Sequence, residues 1–166
     1  MRIPLRTIAV LLLILGIARV SSAGAEVPTV GPLAGFTLHF TAPHVMNNEV
    51  TPSYHHYCQA AGNDILQCLV FDSDEPGARL VEIEYLVPKR LTKQFVPEWR
   101  YWRHWHDNGE EVATGRLVVV KPTSTGEKKT VEKTLSGTDS LIFHLWPEGA
   151  PFPDGSVRHP QSVGHW

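Results

Sequence analysis

The two cysteines, Cys58 and Cys68, stand five residues to either side of Asn63. The residues between them include Ala60-Ala61-Gly62-Asn63-Asp64, a turn composition rich in residues that tolerate left-handed backbone. Residues 54–58 and 66–70 flank that turn as extended, apolar-rich segments, so the pattern predicts an antiparallel hairpin in which Cys58 opposes Cys68. In an oxidising compartment such a pair closes into a disulfide, which for so short a loop contributes at most about 3 kcal/mol. Two buried thiols acting as small hydrophobes, or a reactive pair of Cys58 with His55 or His56, are the other readings.

Further elements follow from periodicity. Residues 79–87 alternate with period two, placing Val81, Ile83, Tyr85 and Val87 on one face and Glu82 and Glu84 on the other, which predicts a strand. Residues 36–40, 117–120 and 141–146 are shorter strand candidates. Pro97 opens a segment with Trp99, Trp102, Arg103 and His106 at helical spacing, and Asp107-Asn108-Gly109 reads as its close. Residues 128–135 form a second possible helix. The expected fold is α+β: one domain with a mainly antiparallel sheet and one or two helices.

The N-terminus reads as an address. Arg2 and Arg6 precede the apolar run of residues 7–18, and Ala23-Gly24-Ala25 supplies small residues where a signal peptidase reads. The run is too short for a bilayer span of about 20 residues. Residues 1–25 are therefore expected to be a signal peptide, 26–37 a linker or extended arm, and 38–166 the domain with an irregular tail. Export to a periplasmic or extracellular setting follows. Removing residues 1–25 leaves 12 basic and 17 acidic residues. An acidic chain without a basic stripe argues against nucleic acid as a partner, and no transmembrane segment is expected.

Two motifs carry possible metal chemistry. Asp72-Ser73-Asp74-Glu75-Pro76-Gly77 opens like a calcium loop, but Pro76 stands where an oxygen ligand belongs and Ile83 where a bidentate Glu belongs, so it reads as a hairpin turn. His104-Trp105-His106 followed by Glu110 or Glu111 has cupin-like spacing, yet cooperative chelation at i and i+2 needs a strand, and the segment before it reads as helical.

Four segments together resemble the oil-body-associated protein family, named from plant seeds and with many bacterial members of unknown function. They are His55-His56-Tyr57-Cys58, Gln67-Cys68 running into Asp72-Ser73-Asp74, Ala78-Arg79-Leu80 running into Glu84-Tyr85, and the His104/His106 segment. His44 begins the match, and His144 with Trp146 continues it toward Gly155. Arg103 stands where the family usually has Trp, and one more residue separates His106 from the matching Glu111. The plant members work inside the cell without a secretion signal, so the resemblance implies a fold that does not depend on a Cys58–Cys68 bond. It implies a fold and a site but no reaction, because the family has no established activity.

The matched polar residues, His55, His56, Asp72, Glu84, His104, His106, Glu111 and His144, are the candidate ligand-binding set. Adjacent histidines on a strand face opposite ways, so each pair supplies one group to a given pocket. His56 shares its face with Cys58, Glu84 with Glu82, and His144 with Ile142. His56, His106, His144 and Glu84 are thus the expected metal set, whose imidazole and carboxylate donors suit zinc, copper or iron. A hydrogen-bonded polar core that only fixes strand packing is the alternative. The function reading is a small-ligand- or metal-binding protein. The other two are a lipid-surface association module, supported by a cluster of tryptophans, and an enzyme using His or Glu as acid–base, for which no reaction-specific motif is present.

Overall fold

The computed structural model describes residues 31–122 and 124–163. The expected signal peptide lies outside the described residues, as does the first part of the expected arm; from the rest of that arm, Pro32–Gly35 forms a 3₁₀ turn. Ten strands follow in chain order: β1 Leu38–Ala42, β2 His44–Met46, β3 Glu49–Val50, β4 Tyr54–Ala60, β5 Leu66–Phe71, β6 Leu80–Pro88, β7 Trp105–Asp107, β8 Val118–Val119, β9 Thr138–His144 and β10 Gln161–Ser162. Among the described residues four helices punctuate them: α1 Lys89–Phe95, α2 Glu98–His104, α3 Asn108–Ala113 and α4 Thr125–Ser136. Seven strands form one antiparallel, curled sheet in the order β7-β9-β6-β5-β4-β1-β8, and β10-β2-β3 form a small second sheet.

The hairpin falls in the expected register. β4 and β5 pair with Cys58 opposite Cys68, and the two sulfurs are bonded. The turn works because Gly62, Asn63 and Asp64 all take positive φ, of 89°, 53° and 60°, which glycine and the short polar side chains adopt at least cost.

One face of the large sheet is buried. Phe40, Tyr54, Cys58, Cys68, Val70 and Leu86 pack there against Leu135 and Val131 of α4 and Val112 of α3. The strand of residues 79–87 alternates as expected, with an unexpected result: Glu82 and Glu84 are buried, whereas Tyr85 is exposed. The acidic side of β6 is the inner side. This is possible only because neighbouring strands bring imidazoles to the carboxylates, as described below.

The expected helix over 97–109 requires correction. α2 stops at His104, the backbone becomes extended at Trp105 (φ −115°, ψ 153°), and residues 105–107 pair with the edge of β9. Asp107-Asn108-Gly109 is a helix start instead of a stop, for the Asp107 side chain accepts the Gly109 N–H and caps α3. His106 accordingly leaves the face of Trp99, Trp102 and Arg103: it is buried, while both tryptophans are exposed. Sheet pairing outweighs the helical spacing of those aromatics.

Candidate functional site

Five strands and one helix deliver polar side chains into the same interior. His44 comes from β2, His56 from β4, Glu82 and Glu84 from β6, His106 from β7, His144 from β9 and Glu111 from α3, and all seven are buried. Register explains the convergence. Glu82 opposes His144 across β6–β9, and His106 opposes Ser140 across β7–β9. His56 opposes Val70, which itself opposes Glu82.

Glu82 is the anionic centre. Its Oε1 accepts the His144 Nδ1–H at 3.0 Å, and its Oε2 lies 2.8 Å from His44 Nδ1. The latter pair is close but not aligned along a hydrogen bond. His56 donates Nδ1–H to the Tyr54 carbonyl at 3.1 Å, which fixes its tautomer and leaves the Nε2 lone pair facing inward. That Nε2 lies 3.3 Å from His44 Nε2 and 3.3 Å from Glu84 Oε2. His106 Nε2 stands 3.9 Å from Glu84 Oε1.

These neighbours set the protonation states. Burial alone would strip the proton from His44, but the Glu82 carboxylate overrides it and raises the pKa to about 9. Burial would likewise raise Glu82, yet the charge on His44 and the His144 N–H hold it at about 2. His56 is lowered to about 3 by burial and by the charge on His44. Glu84 is raised to about 7 by burial against the pull of His44, and Glu111 to about 8 by burial with a contribution from Glu84. At neutral pH the interior thus holds a His44–Glu82 ion pair beside a neutral imidazole and carboxyls that resist ionisation.

Several polar atoms in this interior have no hydrogen-bond partner among the described residues, including Glu84 Oε2, Glu111 Oε1 and His144 Nε2. Native interiors leave few such atoms, and each has a physical reason, such as strain, a chemical role, an ordered water or an ion. His44, His56 and Glu82 also each place one ligand atom within 4.8 Å of the others. Around a four-coordinate ion with bonds of about 2.0 Å, neighbouring donor atoms are about 3.3 Å apart. The separations of His56 Nε2 from His44 Nε2 and from Glu84 Oε2 have that value.

Of the eight candidate residues, His56, Glu84, His106, Glu111 and His144 meet here, and the expected convergence of the other three is corrected. His55 faces outward, with Nδ1 3.1 Å from His39 Nε2. Asp72 closes the β5–β6 turn, accepting the Arg79 backbone N–H and its Nε at 2.9 and 2.6 Å, which also accounts for the calcium-like motif as a turn. His104 ends α2 and packs its ring on His159. His44 and Glu82 are the members missing from the expected metal set. Glu82 shares a strand face with Glu84, and that spacing was the available signal; nothing local to His44 points inward.

The chain matches the profile of a family described as "Protein of unknown function (DUF1264)" over residues 30–155. It is 26% identical to oil body-associated protein 1B of Arabidopsis thaliana over 133 residues, 79% of this chain and 54% of that protein. Identity to oil body-associated protein 1A of Zea mays is 27% over 133 residues, 79% and 55% of the two chains. With oil body-associated protein 2C of Arabidopsis thaliana it is 34% over 118 residues, 66% and 47%. The chain therefore spans about half the length of these relatives. No solved structure matches it.

Proposed function

From the premise that the chain belongs to the DUF1264 family of unknown function, we propose that it is a metal-binding protein whose ion is held by the buried histidine–glutamate cluster. The observation that carries this reading is the placement of ligand atoms from His44, His56 and Glu82, all buried, within 4.8 Å of one another. The two Nε2 atoms and a carboxylate of the β6 pair are the ligands, with His106 and His144 beside them. The Tyr54 carbonyl orients the His56 imidazole from behind, the outer-sphere arrangement that metal-bound histidines require. Nitrogen and carboxylate donors suit zinc, copper or iron. Elemental analysis after dialysis tests the reading: about one equivalent of ion is expected, lost in a His44→Ala/His56→Ala variant and kept in His55→Ala. Protein that takes up no zinc, copper or iron at micromolar concentrations refutes it.

A lipid surface is the second reading, favoured by Phe95, Trp99 and Trp102, which are 69%, 58% and 60% exposed on α1 and α2. The relatives' names refer to oil bodies. Among the described residues, no helix is long and apolar enough to cross a membrane; on this reading the exposed rings are the contact surface. Flotation with liposomes, lost in Trp99→Ala/Trp102→Ala, supports it; absence of flotation removes it.

Export is proposed on the basis of Arg2, Arg6, the apolar run of residues 7–18 and the Ala23-Gly24-Ala25 site. A Cys58–Cys68 bond suits an oxidising compartment. Mass spectrometry of the protein from its native host should find Glu26 at the N-terminus; retention of Met1 or Arg2 refutes export by cleavage.

A further inference from the structure

On the outer face of the sheet, behind the histidine cluster, a cleft of ≈ 510 Å³ lies between α1, the start of α2 and the paired ends of β7 and β9. That volume suits a small organic molecule. Its floor holds two carboxylates directly opposite each other, Asp107 and Asp139. Like charges so placed repel across a strand pair unless each finds compensation. Asp107 finds it in Lys89, whose Nζ donates to Oδ1 at 2.5 Å and to the Ser136 carbonyl at 2.9 Å.

Asp139 is compensated differently. It is 2% exposed, and its oxygens accept from two neutral hydroxyls, Thr92 Oγ1 and Tyr101 OH, the latter at 3.0 Å. No cation among the described residues lies within ion-pair distance of it. The remaining charges of the cleft, Lys93 and Glu98, offset each other. The lining thus has one more carboxylate than ammonium group, and Asp139 is the carboxylate that faces hydroxyls instead of a lysine. Above it the wall carries Val96 and the exposed indole of Trp102.

A carboxylate at the base and an aromatic face at the rim are the two elements that recognise an organic cation, through charge and through cation–π attraction. We propose that this cleft is a second binding site, separate from the histidine cluster, and that it takes a small organic ammonium ligand, the nitrogen on Asp139 and the apolar body against Trp102. Ammonium groups occur on free amines and on phospholipid headgroups, and the test separates these sources.

Phenethylamine and phenylacetate, which share a body and differ in charge, are titrated into the full chain by calorimetry, with phosphatidylethanolamine vesicles in a parallel arm. Saturable binding of phenethylamine, or of the vesicles, with phenylacetate inert, supports the site and names the source. Asp139→Asn is expected to weaken binding at least tenfold, and Trp102→Ala, at an exposed position that leaves the core intact, severalfold. Equal binding of phenylacetate, no saturation by either ammonium probe, or binding unchanged in both variants overturns the proposal. None of these outcomes depends on whether the histidine cluster holds an ion.

Discussion

His44 and His56 bring their Nε2 atoms to 3.3 Å from each other, and two nitrogen lone pairs repel at that distance unless a cation lies between them. In the protein without metal a proton serves: His44 carries it, because Glu82 raises its pKa to about 9, and His56 accepts it, because its other nitrogen is already committed to Tyr54. A divalent ion is the other cation that fits. On the proposed metal-binding reading a proton and a metal compete for this place, and its energetics can be tested with and without metal.

The pH dependence of the EDTA-treated protein is the first test. Above about pH 6.5 the folded chain retains protons that the unfolded chain has released: at Glu84 up to about 7, at Glu111 up to about 8 and at His44 up to about 9. Stability falls with rising pH wherever the folded state binds more protons. His56 and Glu82, with folded pKa values of about 3 and 2, act in the opposite sense, but only below their unfolded values of 6.5 and 4.5. The thermal midpoint should therefore decline from pH 6.5 to 9. A flat or rising midpoint over that interval contradicts the assigned protonation.

The two β6 glutamates should respond unequally to neutralisation. Glu82→Gln removes the counter-charge of a buried imidazolium and is expected to cost about 3 kcal/mol or more. Glu84→Gln, measured at pH 6 without metal, replaces a carboxyl already held neutral and is expected to cost under about 1 kcal/mol. Denaturant titration of both variants reads the difference, and equal losses would refute it.

Metal affinity should separate two histidines that are neighbours in sequence. His106→Ala is expected to weaken zinc binding by at least tenfold, whereas His104→Ala, whose ring packs on His159 outside the cluster, leaves it unchanged. Calorimetry with zinc alone as the probe decides, and a larger loss in the His104 variant would reverse the assignment.

The disulfide gives a prediction independent of the site. Its loop is short, so a Cys58→Ala/Cys68→Ala variant should lose at most about 3 kcal/mol and keep the sheet. Circular dichroism and urea unfolding report both quantities, and a variant that fails to fold would show that the bond defines the fold as well as bracing it.

What could be read in advance follows physical scale. The β4–β5 hairpin was legible to the residue because a short turn fixes register and the two cysteines mark it. β2, β3, β7, β8 and β10 have two or three residues each, fewer than a period needs to show, so His44 and the strand that carries His106 could not be placed from local pattern. The faces of β6 were legible as faces, but which one is buried was not. An alternating strand ordinarily buries its apolar side, and burial of Glu82 and Glu84 depends on imidazoles from chain segments 38 residues before and 62 residues after Glu82. Such compensation is a property of the assembled sheet and has no trace in the strand itself.

The pairing of β10 with β2 sets Ser162 opposite His44, although the family match ends at residue 155. The segment that shuts the interior is thus appended to the part that furnishes its nitrogen and oxygen atoms. A chain ending at Gly155 would retain all seven inward side chains and lose the strand that braces His44. On the proposed metal-binding reading, such a shortened chain would release its ion to a chelator faster than the full chain does, because His44 would lose the strand paired beside it.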